Sequence, residues 1–240
     1  MTYACGKLIA ENLICSIIGN QIPVAMLPYG IFQVGLRQSL ELFYPKNLLN
    51  LILVTESTGD FIEKNNAVDY ITVKPCSPDT AKTGKGHQRQ QYDMFIADYY
   101  TDAEYVGFVD TDCLFINPAL PETLFENGKP IVTGVRGKPW GKFWSTVPST
   151  TFKALNMLEV ANFMTYFPVI IKTSHLKEIR QHISKVMGYN DFVDAFNEIR
   201  KSQFSQFCIM MNYLFWMHRD DYSWHIHRVN DCDNCDASGQ

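Results

Sequence analysis

Apolar runs alternate with helical spacings along the first half of the chain. Residues 23–27 and 48–55 are mostly apolar, which is typical of buried parallel strands. Between these runs, apolar residues recur every three or four positions from Phe32 to Phe43, and Pro45 ends the pattern. The first 55 residues therefore predict a strand, a helix and a second strand, which is a βαβ unit.

The same alternation continues to residue 112. Residues 69–73 predict a third strand, 75–87 a polar loop and 88–100 a helix. Residues 105–109 predict a further strand that runs directly into Asp110, Thr111 and Asp112. Strands and helices in this order predict an open α/β sheet.

The second half of the chain has a less regular pattern, of the α+β kind. It predicts a strand at 162–171, a helix at 174–187 and a late helix around 204–217 that is apolar on every side and hence buried. No repeat or linker separates the halves. We expect one domain over residues 1–240, with a nucleotide-binding half at about 20–118, an acceptor half at about 119–230 and a tail at 231–240.

Composition narrows the function. With 46% hydrophobic residues and a net charge of −4 the chain is globular, and a general nucleic-acid binder is disfavoured. The seven cysteines are scattered, so we expect a reducing, cytoplasmic compartment. The Cys232–Cys235 pair has no second pair at zinc-site spacing, which disfavours a structural metal site there. The sequence contains no apolar span of 18 residues, so no membrane span is expected.

Asp110 and Asp112 are the strongest chemical signal. Side chains two positions apart on an extended segment project to the same side, here at the carboxyl end of a strand, where open α/β sheets bind ligands. Two adjacent carboxylates repel each other unless a cation lies between them, and Mg²⁺ or Mn²⁺ suits carboxylate ligands. The spacing alone also fits an Asp-rich turn that caps a strand.

The surrounding motifs resemble the nucleotide-sugar-binding core of GT-A glycosyltransferases. The motifs are Pro-Tyr after the opening strand, Arg-Gln-Gln on a helix, Asp-Thr-Asp followed by Phe-Ile-Asn-Pro, and a late Ser-Gln-Phe helix. Within that superfamily the chain is most similar to bacterial and viral sugar transferases, including a chlorella-virus domain that decorates the capsid glycan. The resemblance implies a GT-A fold, a Rossmann-like open mixed sheet flanked by helices, and the host cytoplasm if the chain is viral.

The resemblance also implies roles for particular residues. Asp112 is expected to bind the metal ion directly, while Asp110 holds the ribose or shares the metal, with Thr111 between them in the donor site. A further set of residues ends the first two strands, where the family binds base and ribose: Pro28, Tyr29, Thr55 and Glu56. Tyr29 also fits a place in the core.

Other candidates keep two interpretations each. Arg89 fits a contact to the donor sugar or phosphate, or an ion pair with Asp93. In these enzymes a C-terminal histidine often supplies a third metal ligand, for which His225 and His227 qualify and His227 is preferred.

Two loops have the same ambiguity. The loop that carries Lys82 and Lys85 fits either a cover for the diphosphate or a solvated turn, and it lacks the P-loop pattern. Trp140 and Trp144 fit either an acceptor platform or the core.

One departure from the family bears on mechanism. Related bacterial transferases begin the late helix with Ser-Glu-aromatic, whereas this chain has Gln206, and an amide cannot act as a general base. Inversion would need another carboxylate, and the candidates are Asp191, Asp194 and Asp79. We therefore favour retention, with Gln206 either beside the donor sugar or hydrogen-bonded within the core.

These observations favour a metal-dependent transferase that moves a hexose or deoxyhexose from a nucleoside-diphosphate sugar, with UDP favoured, to a glycan or glycoprotein. One alternative is a HAD-like phosphohydrolase, in which Asp220 and Asp221 form the late acidic pair. Such enzymes usually place their Asp-x-Asp motif near the start of the chain, which disfavours this class. A non-catalytic carbohydrate-binding protein on the same fold is the other alternative.

Overall fold

The computed structural model of the 240-residue chain describes residues 12–17, 36–44, 51–55, 70–110, 113–137, 144–164 and 167–228. Its strands are β1 (Asn12–Ile17), β2 (Leu51–Thr55), β3 (Ile71–Pro75), β4 (Tyr105–Phe108), β5 (Phe125–Glu126), β6 (Lys129–Arg136), β7 (Val169–Lys172) and β8 (Ser223–Arg228). Its α-helices are α1 (Gln38–Phe43), α2 (His87–Phe95), α3 (Pro121–Leu124), α4 (Val147–Leu155), α5 (Thr173–Met187), α6 (Phe192–Ile199) and α7 (Gln206–Met217).

A five-stranded mixed sheet organises the molecule. Its order is β3-β2-β1-β4-β7, in which the first four strands are parallel and β7 runs antiparallel to β4. A smaller sheet has the order β5-β6-β8, with β6 and β8 parallel. This arrangement is an α/β architecture built on an open mixed sheet.

Side chains alternate between the two faces of the main sheet. Along β2, Leu51 and Leu53 belong to one buried apolar cluster, and Ile52 and Val54 belong to another. The first cluster includes Leu40 of α1, and the second includes residues of α2, α5, α6 and α7. Because helices cover both faces, β2 is a nearly continuous apolar run, as the sequence predicted.

Elements from both halves of the chain share this core. Phe207 of α7 packs with its ring centroid 6.0 Å from that of Phe108 in β4. The first nine residues of α7, 206–214, are buried, as predicted, but Trp216 and Met217 in its last turn are about half exposed.

Several predicted boundaries were wrong. The strand between β2 and β4 is β1, which the sequence analysis missed, and the run at 23–27 lies outside the described residues. The helix predicted for 88–100 ends at Phe95, because the Ile96 amide bonds to both Tyr92 and Asp93 and the chain tightens into a 3₁₀ turn, Ala97–Tyr99. The strand predicted for 162–171 is shorter and starts only at Val169.

None of the helices in the described ranges combines the length and apolarity that a membrane crossing requires.

Candidate active site

The carboxyl ends of the parallel strands meet at one edge of the main sheet. β2 ends at Thr55, β3 ends at Pro75, and Asp110 follows β4 by two residues. The segment 76–86 and the first turn of α2 lie at the same edge, since they follow β3 directly. In an open α/β sheet this edge is the expected ligand site.

Asp110 is held in place at this edge by a neighbouring helix. The amide nitrogen of Gln90 in α2 donates a hydrogen bond of 3.1 Å to the Asp110 carboxylate. The Asp110 carbonyl accepts from the Cys113 amide at 3.1 Å. Gln90 belongs to the Arg-Gln-Gln motif, but its contact with Asp110 was not predicted, although its position next to Arg89 in the first turn of a helix at this edge was a usable signal.

Arg89 is tied to the preceding loop. Its Nε donates to the Gly84 carbonyl at 2.6 Å, and its Nη2 donates to the Ala81 carbonyl at 3.4 Å. Gly84 has a φ of +115°, a backbone conformation that other residues rarely adopt, so a substitution there would strain this turn. These contacts give Arg89 a structural role, which is to hold the loop at residues 81–84 against α2. The contact to the donor stays a prediction.

The rest of the loop is anchored as well. Thr80 donates to the fully buried Asp93 carboxylate at 2.7 Å, and the Tyr100 hydroxyl donates to the same oxygen at 2.8 Å. Lys82 pairs with Asp79 at 2.6 Å and is exposed. The structure therefore favours the solvated-turn interpretation of Lys82.

The two candidate histidines lie on β8. His225 Nε2 is 3.1 Å from Glu126 Oε2, and hydrogen bonds from Ser223 and His225 lower the pKa of the Glu126 carboxyl. The exposed His227 points to the same side of the strand two residues later. His225 therefore has a structural partner, and the preference for His227 as a metal ligand stays a prediction from the sequence.

Gln206 lies inside the core. Only 4% of it is exposed, its Oε1 accepts from Gln91 Nε2 at 2.9 Å, and its Nε2 lies 3.1 Å from Met94 Sδ. Both ends of the amide therefore have partners on α2. These contacts favour the interpretation in which Gln206 is satisfied within the core.

Replacing Gln206 by Ala leaves the buried Gln91 amide without this acceptor. We expect the free energy of unfolding to fall by about 1–3 kcal/mol. Urea denaturation measures the change, with the partly exposed Gln203→Ala as the matched control. Equal midpoints for the two variants would contradict this role.

Two of the three proposed alternative bases, Asp191 and Asp79, have structural partners. Asp191 caps α6, where its Oδ1 accepts from the Val193 amide at 2.6 Å and the Asp194 amide at 3.2 Å. Asp194 lies in the first turn of the same helix, and Asp79 pairs with Lys82. Burial raises the pKa of the Cys208 thiol to about 12, which makes it a poor nucleophile.

Six predicted site residues lie outside the described residues: Pro28, Tyr29, Glu56, Thr111, Asp112 and Trp140. Trp144 is described and is half-buried.

Asp220 and Asp221 lie at the opposite edge of the sheet from Asp110. Asp221 Oδ2 is 3.4 Å from His175 Nε2, and His175 follows β7 by three residues. The end of β7, Lys172, pairs with Tyr105 at the start of β4, whereas Asp110 follows the end of β4. The late acidic pair is therefore separated from Asp110, which argues against the phosphohydrolase.

Comparisons with known proteins identify the fold. Neither a family model nor a curated protein sequence matches this chain. Among solved structures, the galactosyltransferase LgtC in complex with donor and acceptor sugar analogues matches with a TM-score of 0.53 and 11% identity, over 89% of this chain and 72% of that chain. An active-site variant of LgtC, in which glutamine is replaced by glutamate, matches with a TM-score of 0.50 and 12% identity, over 90% and 72%.

A third match is more remote. Glucosyl-3-phosphoglycerate synthase from Mycobacterium tuberculosis, in complex with Mn²⁺ and UDP, has a TM-score of 0.46 and 13% identity, over 95% of this chain and 74% of that one. The fold that this chain shares with LgtC is the GT-A glycosyltransferase fold, as the sequence predicted.

Proposed function

We propose that this chain is a metal-dependent glycosyltransferase that uses a nucleoside-diphosphate sugar, most suitably a UDP-sugar. The observation that carries the proposal is the position of Asp110 at the carboxyl edge of a GT-A sheet, oriented by Gln90 and two residues before Asp112. The complex of LgtC with donor and acceptor sugar analogues supports a two-substrate reaction on this fold. We infer that a hexose or deoxyhexose passes to a glycan or glycoprotein.

Asp110 at this edge, together with Asp112 and His227 as the sequence predicts them, fits a divalent metal ion. Asp110 and Asp112 offer hard carboxylate oxygens, and His227 offers an imidazole that Mn²⁺ accepts. Mn²⁺ or Mg²⁺ bound there would neutralise charge on the departing diphosphate. Arg89 and Thr55 border the same edge as candidate donor contacts, together with Pro28, Tyr29 and Glu56 from the sequence analysis.

We propose retention of the anomeric configuration. Each of the three alternative carboxylates has a place in the fold that does not require a catalytic role. Asp191 caps a helix, Asp194 lies in the first turn of that helix, and Asp79 forms an ion pair with Lys82. Without a protein base, the leaving phosphate can accept the proton of the acceptor hydroxyl, and the new bond forms on the face that the diphosphate leaves. In this proposal Gln206 does not touch the sugar. It is buried against α2, the helix that carries Gln90, and it helps to hold that helix in place.

Proton NMR of the first-formed glycoside gives its anomeric configuration directly. We expect the configuration of the donor. An inverted product would refute retention, and Asp191, Asp194 and Asp79 would again be candidates for the general base.

Calorimetry tests the metal-dependent donor site without knowledge of the acceptor. UDP should bind with Mn²⁺ and lose most of its affinity in EDTA, because a metal ion held by Asp110 and Asp112 would neutralise charge on the diphosphate. Equal affinity under both conditions would remove the basis for the metal site.

Two activity assays separate the alternative functions. Hydrolysis of p-nitrophenyl phosphate would favour the phosphohydrolase, and UDP-sugar binding without any turnover would favour the carbohydrate-binding protein.

The cellular setting follows from the sequence alone. We propose a reducing compartment, such as the cytoplasm, because the cysteines are scattered and do not form a disulfide-framework pattern.

A further inference from the structure

A second group of metal-ligating side chains lies away from the candidate active site. His175 and Glu178 are on the first turns of α5, His218 follows α7, and Asp221 lies in the 3₁₀ turn Arg219–Asp221 before β8. The rings of His175 and His218 stack, with centroids 3.9 Å apart and planes inclined by 23°. Side chains from three segments of the chain therefore lie close together.

The distances within this cluster suit a metal ion. His175 Nε2 and His218 Nδ1 lie 3.4 and 3.6 Å from Asp221 Oδ2, and His218 Nε2 lies 3.0 Å from Glu178 Oε2. One ligand atom from each of His175, Glu178 and His218 falls within 4.8 Å of the others. Ligands about 2.1 Å from a tetrahedral ion lie about 3.4 Å from one another. His218 would bind the ion through one ring nitrogen, so the carboxylate that now faces its other nitrogen would have to shift towards the ion.

The buried member of the cluster is oriented by its surroundings. The His175 side chain is 5% exposed, and its Nδ1 lies 2.9 Å from the hydroxyl of the buried Tyr222. The Tyr222 hydroxyl also accepts from the Lys172 amide at 3.1 Å, which fixes the phenol. This contact turns Nε2 of His175 towards Asp221, and metal-binding histidines are commonly fixed through the second ring nitrogen in the same way.

We propose that His175, His218, Glu178 and Asp221 bind a divalent transition-metal ion, with Zn²⁺ as the best match. Two imidazoles and two carboxylates suit Zn²⁺ better than the hard ions expected at Asp110. The site lies at the opposite end of β4 from Asp110, because the Thr173 amide at the start of α5 bonds to the Glu104 carbonyl just before β4. The ion joins α5 to the end of α7 and the start of β8, and its role is structural.

Metal analysis after dialysis tests this site. The full chain is stripped with a chelator and dialysed against Zn²⁺ alone. The double variant His175→Asn/His218→Asn should bind one Zn²⁺ fewer per chain than the wild type. Thermal melts in parallel should show that Zn²⁺ raises the melting temperature of the wild type more than that of the variant, since a ligand of the native state stabilises it.

Three further variants make the result decisive. If the histidine variant does not fold, Glu178→Gln/Asp221→Asn changes only half-exposed carboxylates and should weaken Zn²⁺ binding about tenfold or more. His182→Asn is the control on the same helix, because the His182 ring bonds to the Leu155 carbonyl instead. Asp112→Asn should keep this ion, which separates the site from the proposed donor site. Equal Zn²⁺ affinity and stoichiometry in the carboxylate variant and the control would overturn the proposal.

Discussion

Asp112→Asn should lose sugar transfer while the protein stays folded. The substitution keeps the size of the side chain but removes a carboxylate that the proposed site uses to hold the metal ion. We expect kcat/KM to fall by about a hundredfold or more, because the metal stabilises the leaving diphosphate in the transition state. Initial rates at saturating Mn²⁺ measure the loss.

Asp102→Asn is the matched control for this variant. Asp102 is exposed and lies before β4, at the other end of the strand from Asp110. Its replacement should leave turnover within experimental error of the wild type. A folded Asp112→Asn protein with wild-type turnover would remove Asp112 from the proposed site.

Arg180→Leu should destabilise the protein more than Gln206→Ala does. The buried guanidinium donates to both carboxylate oxygens of Asp98, at 2.5 and 2.9 Å, and to the Phe95 carbonyl at 2.6 Å. Removing one partner of a buried ion pair leaves the other charge uncompensated, which typically costs about 3–5 kcal/mol. Urea denaturation monitored by circular dichroism measures the change.

Two comparisons make the ion-pair interpretation specific. Lys177→Leu changes an exposed cation three residues earlier on α5 and should shift stability by about 0.5 kcal/mol or less. The double variant Arg180→Leu/Asp98→Leu should recover part of the loss, because it removes both charges. A midpoint for Arg180→Leu that equals that of Lys177→Leu would contradict the account.

Patterns within a few residues were sufficient to predict much of the fold. The apolar runs that became β2 and β4 were readable because both strands are buried on both faces, and the predicted strand end placed Asp110 at the carboxyl edge. The all-round apolar pattern also predicted a buried helix, and all but the last turn of α7 agrees. Local periodicity carries this information because it reflects burial directly.

The position of β1 could not be read in the same way. Its sequence contains Asn12, Cys15 and Ser16, so it shows no stronger strand pattern than the run at 23–27. What places β1 is pairing on two sides, with β2 and with β4, whose residues are far away in the sequence. A short run does not reveal such partners.

Side-chain partners across the fold were equally hidden. The bond from Gln90 to Asp110 spans 20 positions, and the pair of Glu178 and His218 spans 40. Gln206 looked equally suited to the cleft and to the core until its partners on α2, Gln91 and Met94, were known. Contacts between distant elements depend on helix packing, which no local pattern specifies.

Release of nucleoside diphosphate from a panel of nucleotide sugars, assayed with Mn²⁺ and again with EDTA, tests the central claim most directly. Transferases of this kind hydrolyse their donor slowly even without an acceptor, so the assay needs no knowledge of the acceptor. The account predicts release from one donor, most suitably a UDP-sugar, that requires Mn²⁺ and is lost in Asp112→Asn. No release from any donor with Mn²⁺, or the same release in EDTA, would contradict it.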